Sequence, residues 1–94
     1  MATSTINTIK TTDVFANLST LTWTTSGGGK HYATIGSYTN SEILSVAIKD
    51  WSYLRDTDII QPAIKNNGYE VELISNVKTF ASANSYVKVK VVYR

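Results

Sequence analysis

The chain has 94 residues, of which 43% are hydrophobic and only 17% charged, with a formal net charge of +2. That length allows one domain and one core, burying on the order of 64% of the unfolded surface by area scaling. The weak charge makes no phosphate-tracking field, so no nucleic-acid partner is expected. The absence of cysteine excludes disulfides, thiolate zinc sites and thiol catalysis.

Thr, Ser and Asn fill the space that charge leaves, with 13, 10 and 7 residues, and they suit strands and turns better than helices. No apolar run approaches the roughly 18 residues of a membrane span, so no membrane insertion is expected. Met1 to Lys10 lacks the charged-then-apolar order of a signal peptide, which implies synthesis in the cytoplasm without one.

Residues 1–13 are polar, with Ile6 and Ile9 as the larger anchors, and read as a flexible arm or an edge strand. From Val14 the pattern alternates: Val14, Ala16 and Leu18 share one face, then Leu21 and Trp23 the other. The switch near Ser19-Thr20 calls for a turn or bulge, because a strand cannot change its buried face without one. Gly27-Gly28-Gly29 is the sharpest break, and no helix pattern follows it, so a dinucleotide-binding reading fails. Lys30 to Tyr38 alternates again, with His31, Ala33 and Ile35 opposed to Lys30, Tyr32 and Thr34. Tyr38 to Ser41 is a turn cluster.

Glu42 to Trp51 places Leu44, Val46 and Ile48 on one face. A helix competes there, but β-branched content and short length favour a strand. Ser52 to Asp58 is a polar connection. Ile59 to Ile64 contains Pro62, which cannot donate to a ladder and assigns the segment to an edge or a bulge. Asn66-Asn67-Gly68 is a strong hairpin signal between two strand-like runs. Beyond it Val71 and Leu73 face inward while Glu70 and Glu72 face outward. Lys78 to Ser85 is a loop of small residues around Phe80. The last strand sets Val87, Val89, Val91 and Tyr93 against Lys88 and Lys90.

The opposite charges of Glu70/Glu72 and Lys88/Lys90 suggest a ladder across neighbouring antiparallel strands. The whole chain, 1–94, therefore reads as one all-β domain. The expected form is an antiparallel β-sandwich or small jelly-roll-like barrel of seven to eight short strands.

The second half contains an ordered set of phrases. Gly28 to Ile35 precedes Ser37-Tyr38-Thr39. Lys49-Asp50-Trp51 closes one strand and Thr57 to Pro62 opens the next. Ile74 to Lys78 is followed by the terminal Tyr86 to Tyr93. Over residues 27–94 this resembles the small C-terminal head domains of bacteriophage tail-fibre and receptor-binding proteins. The resemblance implies a compact sandwich on the virion, often a homotrimer, that binds host-surface carbohydrate and does no chemistry. Such heads usually follow a fibrous stalk, which this sequence lacks, as for an excised domain.

The chemical constellations are sparse. His31 is the lone histidine and sits in an alternating strand, where a hydrogen-bonded structural role is expected rather than general-base catalysis. One histidine without cysteine leaves transition metals without ligands, so neither metal nor cofactor is expected. Asp56 and Asp58 lie two apart, but Ile60 and Gln61 stand where a calcium loop needs a further ligand and glycine. A turn cap is the simpler role for Asp58.

The densest mixture of aromatic and polar groups is Trp51, Tyr53, Arg55, Asp56 and Asp58. Saccharide sites combine a flat apolar ring with fixed polar groups, often on loops. Trp51 at a strand end reads as core. Tyr53 and Arg55, with Asp56 or Asp58 accepting from hydroxyls, are the first candidate contacts, and Tyr32 and Tyr38 the second. No catalytic residue is assigned. The rival readings are an assembly domain of a fibre or capsid without a ligand of its own and, more weakly, a small glycan hydrolase.

Overall fold

A computed structural model describes residues 8–94; Ile6 and the rest of the proposed arm up to Asn7 lie outside the described residues. Seven strands follow in order: β1 (Lys10–Asn17), β2 (Thr24–Thr25), β3 (His31–Ser37), β4 (Ile43–Ser52), β5 (Ile60–Lys65), β6 (Glu70–Ser75) and β7 (Tyr86–Tyr93). They form two antiparallel sheets, one in the order β1-β7-β4 and one in the order β2-β3-β6-β5. The two sheets pack face to face, so the molecule is a β-sandwich.

The core lies between the sheets. Val71 and Leu73 of β6 meet Val87, Val89 and Val91 of β7, with Ala16, Leu18 and Ile43 closing the cluster. Apart from Ile43, these side chains recur with period two, which is why alternation was enough to find them. The expected turn after β1 is present: Leu18 is the last buried residue, and Thr20 N–H donates to the Asn17 carbonyl. Trp23 then packs back on the core, its indole N–H donating to the Leu18 carbonyl at 2.9 Å and its ring resting on Phe80.

Pro62 sits in β5, an edge strand, where its missing donor costs no ladder bond. The β5–β6 hairpin turns through Asn66, Asn67 and Gly68 with φ of 54°, 58° and 91°. Asn tolerates the left-handed region and Gly enters it freely, so this triplet specifies the turn.

Two expectations about strand pairing and parity fail. The ladder between Glu70/Glu72 and Lys88/Lys90 does not exist, because β6 and β7 belong to different sheets. Glu72 instead bonds Lys65 of the neighbouring strand at 3.2 Å, while Lys88 stands opposite Phe15 and Asp50. Period-two charge on two strands shows only that both outer faces are wet. The inward assignments of Val71, Leu73, Val87, Val89 and Val91 hold.

The second failure concerns Leu44, which points outward while Ile43 is buried. A register shift between Ile43 and Ser45 inserts Leu44 as an extra residue and reverses the expected parity for that one position. Val46 and Ile48 face the core as expected.

Truncating Leu73, which is fully buried, should cost about 2–5 kcal/mol in urea unfolding, a large share of the margin of a domain this size. In double-mutant cycles Lys65 and Glu72 should couple by up to about 1 kcal/mol, whereas Glu72 and Lys88 should add independently.

Candidate functional site

The connection from β4 to β5 is built as a stapled loop. Arg55 and Asp58 close a turn on themselves: Asp58 N–H donates to the Arg55 carbonyl at 3.0 Å, and Arg55 N–H donates to Asp58 Oδ2 at 3.0 Å. The Arg55 guanidinium adds Nε–H to Asp58 Oδ1 at 3.1 Å and Nη2–H to the Thr79 carbonyl at 2.6 Å. Asn76 holds the far end, accepting from Ile59 N–H at 2.8 Å and donating to the Thr57 carbonyl at 2.9 Å. Buried Ser85 fixes the near end by donating its hydroxyl to the Tyr53 carbonyl at 2.6 Å. A loop held in this way would lose little freedom on binding a ligand.

Between this loop and the edges of β4 and β5 lies an open groove of about 380 Å³. Its floor is the margin of the core, Ile48, Val87, Leu54 and Ile60, and its rim carries Trp51, Arg55, Asp56 and Asp58. Trp51 is 60% exposed, which overturns its reading as core. Its partner in the register is inward-facing Val87, so the indole lies on the inner side of β4. The flank between β4 and β5 is open there, and the ring forms a wall instead of filling.

The candidate residues are divided by this geometry. Arg55 and Asp56 line the groove together with Trp51. The Asp58 side chain has no exposure and both its oxygens accept from Arg55, so it is the turn cap and not a hydroxyl acceptor. Tyr53 adopts a left-handed φ of 57° and is 60% exposed, and it does not line the groove. Tyr32 lines a separate hollow of about 700 Å³ with Thr20, Leu21, Thr22, Thr24, Thr34 and Lys65. Tyr38 is not beside it. That ring is half-buried against Tyr93 at 5.4 Å, and desolvation followed by the charge of Tyr93 raises its phenol above the usual range.

Sequence reasoning missed the clamps Asn76 and Thr79, which lie 17 to 24 residues from the groups they hold and leave no local signal. His31 Nδ1 shares a 2.8 Å hydrogen bond with Thr25 Oγ1, and among the described residues no three acidic or imidazole groups converge as metal ligands. Compared with known protein families, curated proteins and solved structures, the chain matches none of them.

Behind Trp51, on the other face of β4, Asp50 accepts from the Tyr86 hydroxyl at 3.1 Å. That hydrogen bond, then desolvation and the charges of Asp50 and Tyr53, pushes the Tyr86 phenol above its ordinary 10.0. A proton held more tightly in the folded state contributes stability that is complete below pH 10 and is lost as the pH rises through the folded value. Tyr86→Phe should remove that alkaline loss, and by ultraviolet absorbance the wild-type protein should show two late-titrating tyrosinates, those of Tyr38 and Tyr86, of which the variant keeps only that of Tyr38.

Proposed function

We propose that the domain is a non-catalytic saccharide-binding module, the receptor-binding head of a phage tail fibre, and that the Trp51 groove is its binding site. One observation carries the reading: an exposed indole wall stands over an apolar floor beside a guanidinium already immobilised by Asp58 and Thr79. The indole face suits the C–H face of a pyranose. The remaining Arg55 donors and the exposed Asp56 carboxylate suit its hydroxyls. Both Asp58 oxygens are engaged by Arg55, which leaves Asp56 without a second free carboxylate beside it of the kind glycoside hydrolysis uses. On this reading the host-surface glycan is bound without turnover, and the heads act as homotrimers on the virion.

A glycan array tests it. Trp51→Ala should weaken retained glycans by roughly 1–3 kcal/mol, and Asp56→Ala by less, with folding intact because both side chains are exposed. Retention of no glycan by the folded wild-type protein would overturn the reading in favour of an assembly domain.

A further inference from the structure

The outer face of the β1-β7-β4 sheet carries an arrangement that the groove does not use. Phe15 lies in mid-strand yet is 60% exposed, and its ring sits 4.8 Å from that of Tyr86 at an interplanar angle of 30°. Phe15 stands directly opposite Lys88, and Lys88 directly opposite Asp50 on its other side. One row across three strands thus presents an aromatic ring, a cation and a carboxylate, with Tyr86 one pleat away.

Asp50 is held in place at both oxygens, by Trp51 N–H at 2.8 Å and by the Tyr86 hydroxyl at 3.1 Å. Each oxygen keeps a lone pair for a further donor. Lys88 makes no ion pair among the described residues, whereas Lys49 on the same face is taken by Asp13 at 2.7 Å. Asp13 is held below its ordinary 3.8 first by that Lys49 hydrogen bond, against some desolvation, then by the charges of Lys49, Lys88 and Lys90. The face is therefore positive around its aromatic pair, with three lysines against two aspartates.

An exposed aromatic plate favours a ring with an apolar face, the rigid carboxylate favours hydroxyl donors, and the unpaired ammonium favours an anion. We infer that Phe15, Tyr86, Asp50 and Lys88 form a second saccharide platform, distinct from the Trp51 groove, that takes a sugar ring bearing a carboxylate or phosphate. The inference rests on the proposed saccharide function for its ligand class only. Asp50 and Trp51 are consecutive and lie on opposite faces of β4, so platform and groove meet at that edge, and one acidic oligosaccharide chain can cross from one to the other.

The test uses acidic glycans printed beside their neutral counterparts, uronates with their methyl esters and phosphorylated with unphosphorylated sugars. It compares wild type, Phe15→Ala, Lys88→Gln and Trp51→Ala. Wild type should prefer the acidic member by about tenfold, the scale of one charge-assisted contact, and the preference should fall as salt rises. Lys88→Gln should erase the preference and Phe15→Ala should weaken acidic glycans, while Trp51→Ala weakens acidic and neutral glycans together.

Equal retention of both members by wild type overturns the inference. So does a Trp51→Ala defect with Phe15→Ala and Lys88→Gln unchanged, an outcome that leaves the groove reading standing. Loss in Phe15→Ala and Lys88→Gln with Trp51→Ala unaffected supports the platform and removes the groove. A Phe15→Ala variant that changes only from oligomer to monomer, with glycan retention unaltered, assigns the face to a second copy of the chain and overturns the inference. Retention of nothing by wild type overturns both.

Discussion

β7 is the strand on which the fold depends, because it is bonded on both sides, to β1 and to β4, and its inward valines have almost no solvent exposure. Period-two alternation makes its register unforgiving. A slip of one residue would turn Val87, Val89 and Val91 to water and drive Lys88 and Lys90 into the sandwich, and an unpaired buried ammonium is far costlier than any ladder bond gained. β1 and β4 then have to present their own apolar positions to the same layer, which they do with Ala16 and Ile43. Opposite them Val71 and Leu73 supply the other half of the core from β6, one of the two inner strands of the second sheet.

A core this small cannot also seal the flank where β4 and β5 end their sheets. Ile48, Val87, Leu54 and Ile60 are left as the floor of an open groove, and Trp51 stands over it with much of its ring in water. An open apolar margin is useful only if its rim is rigid, and here the rigidity comes from side chain to backbone bonds. Asp58, Asn76, Thr79 and Ser85 hold the loop, so that Arg55 and Asp56 have a defined place beside the indole. Binding to such a rim avoids most of the ordering entropy that a free loop would lose.

The sequence was legible where a local pattern meets a burial constraint. The alternating valines, the edge placement of Pro62 and the Asn66-Asn67-Gly68 hairpin all follow from short-range chemistry and are found where expected. Strand pairing was not legible, since Glu70, Glu72, Lys88 and Lys90 report outward faces and carry no information about which faces adjoin. The candidate loop was legible as a mixture of aromatic and polar groups, but the burial of Asp58 and the exposure of Trp51 were not. Asp58 is enclosed because Arg55 folds over it, and Trp51 is exposed because the opposite sheet ends before covering it. The Arg55–Asp58 contact spans only three residues and agrees with the turn cap read for Asp58, whereas the open flank beside Trp51 leaves no trace in the neighbouring sequence.

β4 shows how much one inserted residue can decide. Ile48 faces Val89, and in an uninterrupted ladder Lys49 would face Lys88 and Asp50 would face Val87. That register would aim a carboxylate at the core and turn Trp51 to the outer face. The shift between Ile48 and Asp50 inserts Lys49 as an extra residue, so that Asp50 meets Lys88 and Trp51 meets Val87. Lys49, released from the ladder's parity, reaches across β7 to Asp13. The bulge thus keeps a charge out of the interior, sets Asp50 beside Tyr86 on one face, and puts the indole over the groove on the other. Two surfaces with different chemistry meet at one edge strand because its pairing is irregular at this point.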